Sequence, residues 1–235
     1  FRCARKTGIV KPETELKFLG FGTMNGKDGR PFKTRDGGVM RLEHLISGIN
    51  EEMLAKIQEN QKTKENLGIS TEEAENTAKM VALAAIKYGD LSNQASKDYI
   101  FDIDRFTSFE GNTGPYILYT IVRIKSILSK YQAAGKTLPD TALLAAHSAS
   151  EKNLMLVLSR FNGMMENAFE ELAPHKICAY VYELANAFNG FYHENKILAQ
   201  EDEQIQQSYI GLLMLTKSVL EACIDVLGFS APDRM

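Results

Sequence analysis

The spacing of hydrophobic and polar positions changes near residue 45 of this chain. Residues 16–42 are rich in glycine and lack helical periodicity, and Asn-Gly and Asp-Gly turn dipeptides fall between residues 25 and 29. This pattern predicts a strand around residues 16–24, a loop at 25–38 and a short strand leading out of that loop. Beyond residue 45, apolar residues recur at helical spacing through almost the whole chain.

Start and stop signals divide this second part into helices. Ser70 and Ser148 are each followed three residues later by a glutamate, which is the spacing of a capping box. Pro115 and Pro174 suit a first helical turn, and Gly228 suits a left-handed helix end. The predicted helices cover residues 43–66, about 71–88, 115–135, a short stretch that Asp140 can cap, about 149–172, 174–191 and about 203–227.

These elements predict a mainly α fold, namely a helical bundle that carries a small β-containing piece at its N-terminal side. In the last helix, the predicted buried stripe consists of Leu212, Leu215, Val219 and Ala222.

Composition limits the class of protein. A hydrophobic content of 44% and a charged content of 24% are those of a soluble globular protein. No apolar run approaches the ~20 residues of a membrane helix, and the first residues lack the apolar centre of a signal peptide. The chain lacks an initiator Met and Phe1 opens what looks like a helix end, so we expect a fragment of a longer protein.

The cysteines and the net charge indicate no special chemistry by themselves. Cys3, Cys178 and Cys223 are widely spaced, and none lies in a CxxC pair or near a histidine at metal-ligand spacing. We therefore expect reduced cytosolic thiols and no metal site. The net charge of −3 does not indicate a nucleic-acid partner, so any RNA binding must come from local patches.

One such patch lies on the helix that begins at Pro115. Tyr116, Tyr119 and Arg123 fall at positions i, i+3 and i+7, which is one stripe of a helix. Two aromatic rings and a cation suit bases stacked beside a phosphate backbone. On spacing alone, half-buried core tyrosines are the commoner explanation of such a stripe.

The glycine-rich loop is a second candidate site. Lys27, Arg30, Lys33 and Arg35 place four cations within nine residues, between flexible glycines. Such a loop can close over a polyphosphate and neutralise charge during its transfer. Composition alone favours a solvated hairpin tip, because exposed loops commonly carry Lys and Arg.

A family resemblance changes both interpretations. The stretch FEGNTGPYILYTIVR at 109–123, the preceding YGDLSNQASKDYIFDIDRFTS and the ending APDRM resemble the C-terminal part of bacterial arginyl-tRNA synthetases. The stretch GTMNGKDGRPFKTRDGGVMRLEHLI resembles the class I signature loop of that family, with Phe32-Lys33-Thr34-Arg35 in place of the usual KMSKS.

The resemblance implies a role for the loop. Lys33 and Arg35 would contact the phosphates of ATP during adenylation, with Lys27, Arg30 and Thr34 in the same ATP-binding site. The His-x-Gly-His motif of class I enzymes is absent from this sequence, since none of its four histidines forms such a pair. We therefore expect this chain alone not to activate arginine.

The resemblance also implies a tRNA site. The tyrosines of the family's GPYxxY motif match Tyr116 and Tyr119, and the arginine that follows matches Arg123. The aromatic residue in NGFYHENKIL matches Tyr192, and the terminal methionine matches Met235. Tyr119, Arg123, Tyr192 and Met235 would surround unstacked anticodon bases, and Tyr116 would belong to the same tRNA-binding site.

The function that the resemblance implies is that of an arginine–tRNA ligase, which uses ATP with Mg²⁺ to join arginine to tRNA-Arg. It further implies a cytoplasmic, monomeric protein without a membrane partner. The predicted domains are the end of the catalytic domain at 1–45, a connecting helical region at 46–108 and a helical anticodon-binding domain at 109–235. Two alternatives are a free-standing helical RNA-binding module and a protein-interaction bundle, neither of which needs the glycine-and-cation loop.

Overall fold

The structure, a computed structural model, describes residues 1–30, 42–63, 70–140 and 143–235. Helices dominate these residues, which confirms the predicted mainly α class. The elements in chain order are α1 (Arg2–Lys6), β1 (Met24–Asn25), α2 (Leu42–Thr63), α3 (Thr71–Leu91), β2 (Tyr99–Ile100), α4 (Ile103–Phe106), α5 (Gly114–Ala133), α6 (Ala149–Ser159), α7 (Phe161–Glu170), α8 (Pro174–Glu194) and α9 (Glu203–Val226).

The β structure is smaller than predicted. β1 and β2 pair in parallel, with Met24 opposite Tyr99. The predicted strand at 16–24 is wrong for residues 16–23, which have no regular structure. The backbone N–H of Gly22 bonds to the carbonyl of Ala95 and that of Thr23 to the carboxylate of Asp98, so the ladder with β2 begins only at the carbonyl of Thr23. The predicted strand that leads out of the loop lies outside the described residues.

The predicted helix starts are confirmed by their caps. The hydroxyls of Ser70 and Ser148 each accept a hydrogen bond from the backbone N–H three residues later, both at 3.2 Å. Thr113 caps α5 in the same way, at 3.2 Å from the backbone nitrogen of Tyr116. These bonds satisfy backbone donors that have no partner inside the helix.

Two predicted helices differ in the structure. The helix predicted from 149 to 172 is two helices, α6 and α7, which meet at Arg160. The helix predicted after Asp140 is absent from residues 143–147. In that segment the backbone N–H of Leu144 bonds to the hydroxyl of Ser208, and that of His147 bonds to the carboxylate of Glu151. Side chains therefore take up donors that a helix would have used.

The buried face of α9 is wider than the predicted stripe and rotated from it. Leu215 is 43% exposed and Ala222 is also exposed, so both predictions were wrong. The apolar residues of α9 cover more than one face, and its contacts with α5 and α8 decide which of them are buried. The buried positions are Gln206, Ser208, Tyr209, Ile210, Leu212, Leu213, Thr216, Val219, Leu220, Cys223 and Ile224.

Helix α5 lies at the centre of the bundle, where it contacts α3, α8 and α9. Its first residue, Gly114, lets it approach α3 closely: a Cβ atom there would lie 2.3 Å from the carbonyl oxygen of Ala84. The inner face of α5 is buried, including Ile117, Leu118 and Ile121. This packing fixes the direction of the remaining face, which carries the candidate site.

Candidate nucleic-acid interface

The exposed face of α5 brings together three of the predicted site residues. The guanidinium carbon of Arg123 lies 4.7 Å from the ring centre of Tyr119 and 5.3 Å from that of Tyr192 on α8. Each of the two tyrosines is 37% exposed. A cation over an exposed aromatic ring contributes about 0.5–1 kcal/mol. We call Tyr119, Arg123 and Tyr192 the tyrosine–arginine cluster.

A polar network on α8 orients the arginine of this cluster. Nη1 of Arg123 donates a 2.7 Å hydrogen bond to Oδ1 of Asn189. The amide nitrogen of Asn189 donates at 2.8 Å to the hydroxyl of Tyr116, which itself donates at 2.7 Å to Asn186. The guanidinium is therefore held by a chain of hydrogen bonds that joins α5 to α8.

Tyr116 lies in this network rather than at the surface of the cluster. Its ring packs edge-on against Tyr182 at 5.7 Å, and burial raises the pKa of its hydroxyl. Both the ring and the hydroxyl of Tyr116 therefore contact α8. A direct tRNA contact by Tyr116 stays a prediction.

Asn186 and Asn189 were not among the residues predicted from the sequence. Their signal was spacing, because Asn186, Asn189 and His193 fall at i, i+3 and i+7 on the helix that also carries Tyr192. This spacing places the three polar residues on one side of α8, next to Tyr192. Asparagines are common on exposed helix faces, so the spacing alone did not mark them as part of a site.

Tyr192 rests on the buried core. Its ring stacks on Phe188 with ring centres 6.1 Å apart, and Phe188 is fully buried. One side of the Tyr192 ring is thereby supported by the bundle, which limits its rotation.

Met235, which follows α9 in the chain, lies beside α5 on the side of that helix that carries Tyr119. It packs against the core and lines a groove of about 810 Å³ together with Val122 and Ser126. Those two residues fall three and seven positions after Tyr119, so they share its side of the helix. The groove and the tyrosine–arginine cluster therefore occupy neighbouring turns of α5.

The structure describes two of the loop cations, Lys27 and Arg30. The ammonium of Lys27 lies 3.1 Å from the carboxylate of Asp102 and 2.5 Å from that of Asp104. These hydrogen bonds, first of all the one with Asp104, raise the pKa of Lys27. Arg30 closes a turn, since its backbone N–H bonds to Asp28. A role of either cation at ATP stays a prediction, and Lys27 would have to leave two carboxylates to fill it.

Lys33, Thr34 and Arg35 lie outside the described residues.

Among the residues that the structure covers, no three or more His, Cys, Asp or Glu side chains come together as metal ligands. Cys178 and Cys223 are buried, which raises the pKa of each thiol to about 12. None of the helices in the described ranges combines the length and the hydropathy that crossing a membrane requires.

Comparison with known proteins gives two family matches. The DALR anticodon binding domain matches residues 117–235, and the catalytic domain of class I (R) tRNA synthetases matches residues 1–103. An arginine–tRNA ligase of Agathobacter rectalis is 74% identical over 238 residues, covering 100% of this chain and 40% of that protein. An arginine–tRNA ligase of Alkaliphilus oremlandii is 54% identical over 235 residues, covering 100% of this chain and 39% of that protein.

Solved structures agree with these matches. The Thermus thermophilus arginyl-tRNA synthetase superposes with a TM-score of 0.78 at 27% identity, covering 92% of this chain and 35% of that one. The Plasmodium falciparum enzyme superposes with a TM-score of 0.72 at 27% identity, covering 84% of this chain and 34% of that one.

The helical bundle is thus similar to the corresponding part of class I tRNA synthetases. The chain belongs to the DALR anticodon binding domain family, whose match covers just over half of its 235 residues. It spans about 40% of the length of the curated relatives named above.

Proposed function

We propose that this chain is the tRNA-reading portion of an arginine–tRNA ligase and that its tyrosine–arginine cluster binds unstacked anticodon bases of tRNA-Arg. The observation that carries the proposal is the position of the Arg123 guanidinium against the rings of Tyr119 and Tyr192 at the protein surface. Family membership and the named ligases among the relatives support the tRNA as partner.

The cluster has the chemistry that single-stranded RNA requires. Each exposed tyrosine ring offers a face on which a base can stack, and such stacking contributes about 1–3 kcal/mol per base. Arg123 adds a fixed positive charge for the phosphates between those bases. Because the whole chain carries a net charge of −3, a local cation between two rings favours binding at this place over the rest of the surface.

Met235 would complete the site from the neighbouring groove. Its flexible apolar side chain can press against a base edge or face without a fixed geometry. Tyr116 would contribute mainly by holding Asn189, which in turn holds Arg123. We keep the predicted division at 1–45, 46–108 and 109–235 as part of this proposal.

In the whole enzyme, arginine and ATP would form arginyl-adenylate, and arginine would then pass to the tRNA in the cytoplasm. Lys33 and Arg35 would contact the ATP phosphates, with Thr34 and Arg30 beside them, and Mg²⁺ would accompany the ATP. The chain alone should show no arginine-dependent ATP–pyrophosphate exchange, because one catalytic loop without the His-x-Gly-His motif cannot orient the α-phosphate. We propose a monomer.

A binding titration tests the proposal. The 235-residue chain is titrated with tRNA-Arg and with a non-cognate tRNA at the same salt concentration. We expect tRNA-Arg to bind at least about tenfold more tightly, which corresponds to about 1.4 kcal/mol. Equal affinity for both would indicate a general RNA-binding module, and absence of binding would favour a protein-interaction bundle.

A further inference from the structure

Lys125 on α5 connects three parts of the bundle. Its ammonium lies 3.2 Å from the carbonyl oxygens of both Ala231 and Pro232 and 3.0 Å from the carboxylate of Asp233. On its other side, the carboxylate of Glu221 on α9 lies at 3.6 Å. The side chain of Lys125 is only 21% exposed. All three of its N–H donors therefore have an acceptor in residues 231–233.

We call residues 228–235, which follow α9, the closing segment. They have no helix or strand of their own, and only the backbone N–H groups of Gly228 and Phe229 bond back to the end of α9, to the carbonyls of Asp225 and Ile224. Phe229 and Pro232 are buried, and Met235 packs against the core. Lys87 accompanies Lys125 as a second tether, through a 2.5 Å hydrogen bond to the carbonyl oxygen of Gly228.

The contacts of Lys125 differ in strength. The carboxylate of Asp233 is 94% exposed, so this ion pair alone contributes little. The bonds to the two backbone carbonyls are charge-assisted, and one of those carbonyls belongs to the buried Pro232. Loss of the ammonium would remove the hydrogen bonds to both carbonyls. Residues 231–234 would then no longer be held to α5 by Lys125.

We propose that Lys125 is a positioning residue for tRNA binding: it holds the closing segment against α5, so that Met235 lines the groove beside Val122 and Ser126. This inference rests on the proposed function, because it takes Met235 as part of the tRNA site. Lys125 itself acts through the segment, since Glu221 and Asp233 already neutralise its charge.

The groove provides a matched control. Lys217 lines the same groove and bonds to the same Glu221, at 2.9 Å. Its hydrogen bond goes to Glu221 on its own helix, whereas Lys125 bonds to the closing segment. Lys217→Met and Lys125→Met therefore remove the same charge from the same groove, but only Lys125→Met removes the tether.

Two measurements on the full chain test the inference. Hydrogen exchange of the hydrogen-bonded amides of the closing segment, those of Gly228 and Phe229, measured without RNA, should be roughly tenfold faster in Lys125→Met, as expected for losing hydrogen bonds to a charged group. The affinity for tRNA-Arg should fall roughly 5- to 10-fold, which is the lower end of the loss of one base contact. Lys217→Met should leave both readouts as in the wild type.

A double-variant cycle separates a tether from a direct phosphate contact. In a full-length chain that carries Met235→Ala, Lys125→Met should cause no additional loss of tRNA affinity. A further loss in that background would show that Lys125 touches the RNA and would overturn the positioning role. Equal losses in Lys125→Met and Lys217→Met would overturn it as well.

The outcomes also distinguish this inference from the proposed function. Unchanged amide exchange in Lys125→Met would overturn the tether whatever the RNA does. Faster exchange with unchanged tRNA affinity, while Tyr119→Ala weakens binding, would overturn the positioning role and leave the proposed function in place. If Tyr119→Ala also leaves tRNA affinity unchanged, both proposals fail.

Discussion

Arg123 on α5 donates a 2.7 Å hydrogen bond to the side chain of Asn189 on α8, and this bond links the two helices that supply the tyrosines of the cluster. Asn189 holds the guanidinium next to the rings of Tyr119 and Tyr192. The amide nitrogen of Asn189 in turn donates a hydrogen bond to the hydroxyl of Tyr116. The cluster is thus assembled from two helices and oriented before any RNA arrives, which reduces the free energy spent on ordering side chains during binding.

Asn189→Ala should therefore weaken tRNA binding. Arg123 would lose the acceptor that orients it, and we expect an affinity for tRNA-Arg roughly 3- to 10-fold lower, in the range of a hydrogen bond to a charged group. The matched control is Asn186→Ala, which removes a partner of Tyr116 and leaves the bond between Arg123 and residue 189 intact. Equal losses in the two variants, measured by titration, would contradict the special role of Asn189.

Gly114→Ala should destabilise the bundle. A Cβ atom would lie 2.3 Å from the backbone carbonyl oxygen of Ala84, so α3 and α5 would have to separate. We expect a loss of about 1–3 kcal/mol in the free energy of unfolding, the usual cost of overpacking. Gly163→Ala on α7 is the control, because nothing lies within 4 Å of its added carbon. That change should stabilise by roughly 0.5–1 kcal/mol, and chemical denaturation of both variants measures the difference.

The sequence predicted the helices where local signals decide them. The capping residues Ser70 and Ser148 and the left-handed glycine Gly228 act within one turn, and each lies at the predicted helix end. Tertiary contacts overrode local pattern elsewhere. The exposure of Leu215 depends on how α9 lies against α5 and α8, and the break at Arg160 separates α6 from α7 although both have helical composition.

The candidate site was predictable only in part. Tyr119 and Arg123 share a stripe that spacing alone identifies, whereas Tyr192 lies on another helix and was assigned by resemblance. Asn189 and Lys125 act through contacts with residues 66 and 106 positions away, which no local pattern reports. Lys27 was assigned to ATP by its place in a cationic loop, while its carboxylate partners at 102 and 104 follow only from the pairing of β1 with β2.

Buried thiols should make the fold sensitive to alkali. The pKa values of Cys178 and Cys223 rise from 9.0 to about 12 on burial, so the folded state retains these protons at a pH where the unfolded chain releases them. The contribution of the two protonated thiols to the free energy of unfolding is fully present below pH 9 and is lost as the pH rises from 9 towards 12. Replacing both thiols by alanine should reduce this pH dependence of the free energy of unfolding. An unchanged pH profile in that double variant would show that other groups cause the alkaline loss.

If the chain is part of a whole arginine–tRNA ligase, as proposed, Lys33→Ala should affect catalysis by that ligase. If Lys33 contacts the ATP phosphates, the rate of adenylate formation should fall roughly 10- to 1000-fold, the scale of losing one charge contact in the transition state. Affinity for tRNA-Arg should hardly change. A fall in tRNA binding with normal ATP–pyrophosphate exchange would instead make the loop a tRNA contact.

The central claim is that the tyrosine–arginine cluster stacks on anticodon bases, and Tyr119→Ala tests it most directly. Affinity for tRNA-Arg and melting temperature are measured on the same protein, with Phe169→Ala, an aromatic residue 79% exposed on α7, as the control. We expect tRNA binding roughly 5- to 150-fold weaker in Tyr119→Ala, with little change in melting temperature and no loss of binding in the control. A large fall in melting temperature with unchanged affinity of the folded protein would make Tyr119 a core residue and contradict the account.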